Sequence, residues 1–170
     1  MPECDSVWLT LSDEVRLSVE EQAKCLCSLV AVCNESDSSP CRLTPQEFYS
    51  RELANECLWI QAKPVDLPNA IRHYLKVKNA NPTTTSALIM VPHSKGAKEA
   101  WTPALKGMLL VRQYSNQAQI FRNIHTGAAC SVGKAVDIWW DPPCPEPPPR
   151  NVLALARVGH LSALPYLAAV

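Results

Sequence analysis

The sequence predicts an α/β domain built on an open sheet. Two apolar runs, residues 57–60 (C-L-W-I) and 85–91 (T-S-A-L-I-M-V), have the length and composition of buried strands. Each is followed by a Pro-punctuated turn and then by a helical pattern. That alternation is the cadence of α/β sheets, whose sites form where the strands end.

Composition bounds the rest. A chain of 170 residues suits one ordinary domain with its own core. With 47% hydrophobic and 19% charged residues it does not have the composition of a disordered chain. Sixteen Lys and Arg balance sixteen Asp and Glu. A chain devoted to holding a nucleic-acid backbone is usually basic, so neutrality leaves only a local basic face for that role. The opening M-P-E-C-D-S lacks the basic start and apolar run of a signal peptide. No stretch reaches the ~20 apolar residues of a membrane span, and the apolar tail is interrupted by Arg157, His160 and Pro165. These features predict an intracellular protein, cytoplasmic or nuclear, without membrane attachment, whose eight cysteines stay reduced. Fifteen prolines against five glycines predict stiff connections.

The elements follow in order. A first helix is predicted over 19–33, where Ser18 and Glu21 form a capping box and Val19, Ala23, Leu26, Val30 and Cys33 recur at helical spacing. A polar loop, N-E-S-D-S-S-P-C, comes next. Thr44 starts a second, short helix: Thr44 caps, Pro45 takes the first turn, Glu47 completes the box, and Phe48 anchors it before it ends near Leu53. The strand at 57–60 is stopped by Lys63-Pro64 and Leu67-Pro68.

Asp66 can cap a third helix with Leu67, Ile71, Tyr74 and Leu75 on one face. Burying each of those large groups is worth roughly 1.5–3 kcal/mol, ample to fix the helix on a sheet. N-A-N-P ends it, and the strand at 85–91 follows. A short helix over 101–106 stops at Gly107. Residues 108–114 and 119–122, joined by S-N-Q-A, are expected to pair as closing strands. A last strand at 135–140 runs into D-P-P-C-P-E-P-P-P, which continues neither helix nor sheet. The expected organisation is an N-terminal helical segment (1–43), an α/β domain (44–140), a Pro-rich linker (141–150) and an apolar tail (151–170).

Several residue groups could carry chemistry. Asp141, Pro142 and Pro143 end a strand, and an acidic or amide residue before two prolines is similar to the catalytic loop of exocyclic-amine DNA methyltransferases. In that loop the polar side chain orients the target amine and a following aromatic stacks on the flipped base. Here the fourth position is Cys144, which cannot stack, and the competing reading is entry to the proline-rich linker. Cys25, Cys27, Cys33 and Cys41 could hold zinc. Their spacing lacks paired C-x2-C knuckles, and a helix over 19–33 would point Cys25 and Cys27 about 200° apart. Core packing is the better account of them.

Cys57, in a buried strand, is expected to be a silent thiol with a raised pKa. Sequence pairs none of His73, His93, His125 and His160 with a nucleophile. Lys63, Arg72, Lys76 and Lys78, with Lys95 and Lys98, could meet phosphates, and Trp101 could stack on a base. A solvated face of an amphipathic helix accounts for the same cations. The chain contains neither a G-x-G-x-x-G nor a Walker-type phosphate loop.

An ordered set of fragments adds a resemblance. Pro45, Phe48, Tyr49 and Ser50 are followed by Leu58-Trp59-Ile60, Thr85-Ser86-Ala87, Val91-Pro92, Trp101 and Gly107-Met108. This order over about half the chain resembles the methyltransferase-like region of gypsy-class retrotransposon polyproteins from algae and other protists, itself similar to the second half of a Rossmann-like methyltransferase. The resemblance implies a partial Rossmann-like mixed sheet with flanking helices, S-adenosylmethionine as the ancestral cofactor, and nucleic acid or neighbouring polyprotein domains as partners. Where the family has N-P-P-W, this chain has Gln61-Ala62-Lys63-Pro64. The rigid turn and the stacking aromatic are missing, which implies a non-catalytic domain acting in nucleic-acid or protein interaction. Two alternatives stand beside it: a methyltransferase using Asp141, Pro142 and Pro143 with S-adenosylmethionine, and a small zinc-stabilised binding protein.

Overall fold

The computed structural model describes residues 9–31, 42–93, 99–123, 125–131 and 133–145. The chain runs β1 (Leu9–Leu11), α1 (Asp13–Ala23), β2 (Leu29–Ala31), β3 (Arg42–Leu43), α2 (Pro45–Ser50), β4 (Cys57–Gln61), α3 (Leu67–Ala80), β5 (Ser86–Pro92), a 3-10 turn (Thr102–Leu105), β6 (Leu109–Tyr114), β7 (Phe121–Asn123), β8 (Ala129–Cys130) and β9 (Val136–Asp141).

The fold is mixed α/β. A six-stranded sheet has the order β3-β2-β4-β5-β9-β6, and a small sheet has the order β1-β7-β8. Strands β3, β2, β4 and β5 are parallel, whereas β9 runs antiparallel to both its neighbours, β5 and β6. The central strands lie in the middle of the sheet and are covered on both faces, which is why they are continuous apolar runs.

Alternation along the strands divides the core in two. Leu58, Ile60, Ala87, Ile89 and Val91 pack with Phe48 of α2, with Leu67, Ile71 and Tyr74 of α3, and with Trp101 and Leu105. The opposite residues, Trp59, Leu88 and Met90, pack with Val19 of α1, Ile120, Phe121, Ile138 and Trp140. On that second face Gln22 Nε2 donates to the Val111 carbonyl at 2.8 Å, and Arg112 donates to Ser18 Oγ at 3.1 Å. These bonds tie α1 to β6.

Local sequence grammar holds at several elements. Thr44 Oγ1 accepts from the Glu47 amide at 3.2 Å, and the Glu47 carboxylate accepts from the Thr44 amide at 2.8 Å, so the capping box of α2 is complete. Strands β4, β5 and β9 lie where the apolar runs place them.

Three expectations are corrected. The first helix occupies Asp13–Ala23 rather than 19–33, with Asp13 and Glu14 in the first turn, where carboxylates favour a helix start. Lys24 ends it in the left-handed conformation (φ 53°), and Leu29–Ala31 form a strand docked between β3 and β4. Ser18 is therefore inside the helix rather than its cap. The stretches at 108–114 and 119–122 do not pair with each other. β9 takes the β6 partner position, while β7 joins β1 and β8. Nor does a boundary at residue 43 separate an N-terminal segment, because β2 and β3 are integral to the large sheet.

Candidate functional site

The parallel strands define two edges, and the candidate residues divide between them. At the carboxyl edge, β4 ends at Gln61 and passes into Ala62, Lys63 and Pro64. The Lys63 carbonyl accepts from the Asp66 and Leu67 amides, each at 2.9 Å, closing the turn into α3. Gln61 is half-buried, whereas Lys63 and Pro64 are exposed.

One residue beyond β5, His93 donates its amide to the Ala135 carbonyl at 2.8 Å. Its Nδ1 lies 2.9 Å from Asp137 Oδ2, and Gln113 Nε2 donates to Asp137 Oδ1 at 2.9 Å. Asp137 is 7% exposed, so the carboxylate is a buried acceptor shared by two side chains. Sequence reasoning missed this trio. It depends on the antiparallel register that sets Asp137 opposite Val91 and Gln113, and no local spacing encodes that register. Chemically it fixes an imidazole at the edge where α/β sheets bind their ligands.

Asp141 stands at the other edge. Because β9 is reversed, Asp141 pairs with Ala87 near the start of β5. Asp141 Oδ2 accepts from Tyr74 Oη at 2.5 Å and lies 4.0 Å from Lys78 Nζ. Lys78 Nζ donates to the Thr85 and Pro142 carbonyls, each at 2.6 Å. The Cys144 amide donates to the Pro82 carbonyl at 2.7 Å and holds the strand exit against the α3–β5 turn. Burial, and then the Asp141 carboxylate, push the Tyr74 phenol well above its ordinary pKa. Asp141 and the Pro142 carbonyl therefore close a polar junction, with Pro143 exposed beyond it. They do not stand at the strand-end crevice where a catalytic loop would be expected, because the strand carrying them runs the opposite way.

The predicted basic face is also redistributed. Lys63, Arg72 and Lys76 are exposed, with Arg72 donating to Asn69 Oδ1 at 3.1 Å. Lys78 is 6% exposed and Trp101 is 7% exposed, so neither is available to a phosphate or a base. The Lys78 stem turns inward toward carbonyls at the end of α3, and the Trp101 ring fills core between α3 and the sheet. Lys95 and Lys98 lie outside the described residues. His73 packs edge-on against Phe48 and Tyr49, with ring centroids 5.1 and 5.2 Å away. His160 lies outside the described residues.

The cysteines form a different group from the one expected. Since α1 stops at Ala23, Cys25 and Cys27 lie in the loop before β2 and do not diverge around a helix. Their sulfurs and that of Cys57, the first residue of β4, all lie within 4.8 Å of one another. Cys27 Sγ and Cys57 Sγ are 3.6 Å apart. Cys33 and Cys41 lie outside the described residues.

Cys57 departs from the raised pKa expected of a thiol in a buried strand: its hydrogen bonding with Cys27 outweighs burial and brings the pKa down to about 7. Burial raises Cys25 to about 12, and the bond to Cys57, followed by burial, pushes Cys27 up.

Comparison with known proteins found no matching family model, curated protein or solved structure. Among the described residues no helix is long and apolar enough to cross a membrane.

Proposed function

We propose that the protein is a non-catalytic binding domain on a partial Rossmann-like scaffold of methyltransferase type, retroelement-derived, that engages nucleic acid through the β4–α3 unit. The observation that carries the binding surface is the exposure of Lys63, Arg72 and Lys76. Arg72 and Lys76 are one helical turn apart and share a stripe of α3, and Lys63 stands in the turn that leads into it. Together they form a cationic track that begins at the carboxyl edge of the parallel strands, where α/β sheets bind ligands. Backbone phosphates suit such a track, because each neutralised phosphate releases counterions.

The non-catalytic part rests on the position of Asp141. Its carboxylate is held by Tyr74 at the opposite edge from Gln61-Ala62-Lys63-Pro64, so no single edge carries both elements of the methyltransferase resemblance. The four parallel strands followed by a reversed neighbour support the scaffold reading, as does the strand–helix–strand unit β4–α3–β5.

Mobility shift of a labelled oligonucleotide tests the surface. Binding at low salt should weaken as salt rises and fall further in Arg72→Glu and Lys76→Glu. Absence of binding by the wild type at low salt would remove nucleic acid and leave protein partners. Titration calorimetry with S-adenosylmethionine tests the other half: binding that disappears in Asp141→Ala would overturn the non-catalytic assignment. A reverse-transcriptase frame beside the coding sequence is the expected genomic mark of its descent.

A further inference from the structure

We propose that the thiols of Cys25, Cys27 and Cys57 form a binding site for a thiophilic divalent cation of the zinc class. The site lies at the amino edge of the large sheet, away from the basic track, and does not depend on the nucleic-acid reading. Three side-chain sulfurs, two from the α1–β2 loop and one from the start of β4, converge there, all within 4.8 Å of one another. A tetrahedral ion with Zn–S bonds of about 2.3 Å sets its sulfurs roughly 3.8 Å apart. Cys27 and Cys57 already stand 3.6 Å apart, so the pair needs almost no movement to share an ion.

A second observation concerns the turn from which the thiols spring. Glu20 is 2% exposed, in the last turn of α1, and its Oε2 has no hydrogen-bond partner among the described residues. A buried carboxylate oxygen left unpaired calls for a reason. The other oxygen, Oε1, accepts from Arg16 at 3.1 Å, which orients the carboxylate. The Cys25 amide donates to the Glu20 carbonyl at 3.0 Å, so the thiol loop springs directly from the turn that carries Glu20. Binding of the cation would displace the thiol protons to solvent.

Three sulfurs select the metal class, with the fourth position of a tetrahedral ion left to solvent. Thiolate ligands favour zinc and its spectroscopic substitute cobalt(II) over magnesium or calcium, which prefer all-oxygen sites. Bound there, the ion would join the α1–β2 loop to the start of β4.

Cobalt(II) titration of the reduced full-length chain is the test. The expected result is one cobalt per chain, with the intense visible bands of a tetrahedral thiolate site, displaced by zinc. Cys27→Ser and Cys57→Ser should abolish those bands. Cys33→Ser and Cys41→Ser should leave the spectrum unchanged. Cys25→Ser, at a half-buried position, should reduce the sulfur-to-cobalt band while the far-ultraviolet circular dichroism stays native, which separates loss of metal from loss of fold. Cobalt bands absent from the reduced wild type, or retained in Cys57→Ser, would overturn the site. So would their loss in Cys33→Ser or Cys41→Ser.

Discussion

Tyr74 of α3 donates its phenolic hydrogen to the Asp141 carboxylate at the end of β9, 2.5 Å away and 67 residues further along the chain. The bond links the helix that covers one face of the sheet to the reversed strand between β5 and β6. In this bond the Asp141 carboxylate accepts from a core phenol beside a buried ammonium.

Replacing that carboxylate should therefore be felt as stability. Asp141→Ala leaves the Tyr74 hydroxyl and the Lys78 ammonium without their shared anion. The expected loss is about 1–3 kcal/mol of unfolding free energy in urea denaturation. An unchanged midpoint and slope would show that the junction contributes nothing.

Tyr74 also predicts a pH dependence. Its pKa in the folded protein is raised above the ordinary 10.0. The folded state then keeps a proton that the unfolded state has released, so the contribution is intact below pH 10 and is lost as pH rises beyond it. The stability advantage of the wild type over Tyr74→Phe should shrink above that pH. Parallel stability curves for the two proteins across the alkaline range would refute this.

Two lysines on α3, two positions apart, should behave oppositely. Lys78 donates to two carbonyls from a buried position, and Lys78→Ala is expected to cost about 1.5–3 kcal/mol. Lys76 is exposed, and Lys76→Ala should change stability by no more than about 0.5 kcal/mol. Thermal unfolding of the two variants side by side checks the contrast, and equal shifts would contradict it.

The capping box gives a local prediction. Thr44→Ala removes the acceptor of the Glu47 amide and should cost about 1 kcal/mol. The hydrogen bonds from Thr44 hold the Glu47 carboxyl below its usual pKa, so Glu47 should titrate nearer its ordinary value in Thr44→Ala. An NMR titration of that carboxyl measures the change, and an identical midpoint in the two proteins would count against the box.

Legibility followed range along the chain. T-P-Q-E announces α2 because cap and box involve residues three apart, and the apolar runs of β4, β5 and β9 are visible because buried strands exclude charge. The S-V-E-E pattern at 18–21 imitates a helix start as well as Thr44 does. It was overruled by the left-handed turn at Lys24 and by the place open to β2 between β3 and β4. Helical spacing identified the apolar face of α3 but not the fate of Lys78, whose long stem reaches carbonyls outside its own helix. The same spacing kept Cys25 and Cys27 apart on a helix that does not extend to them.

By itself the sequence determined the α/β class, the helix α2 with its cap, the inward face of α3 and the central strands. Each depends on periodicity or on contacts a few residues apart, which the order of amino acids encodes directly. Tertiary structure alone decided that β9 lies reversed between β5 and β6. That reversal puts Asp141 at the amino edge with Tyr74 and Lys78, and Asp137 at the carboxyl edge with His93 and Gln113. It also brought Cys57 to Cys25 and Cys27, because β2 and β4 are parallel neighbours that start at the same edge. Strand pairing is a competition among all available partners, won by the arrangement that buries both faces of the central strands, and no window of local sequence contains that comparison.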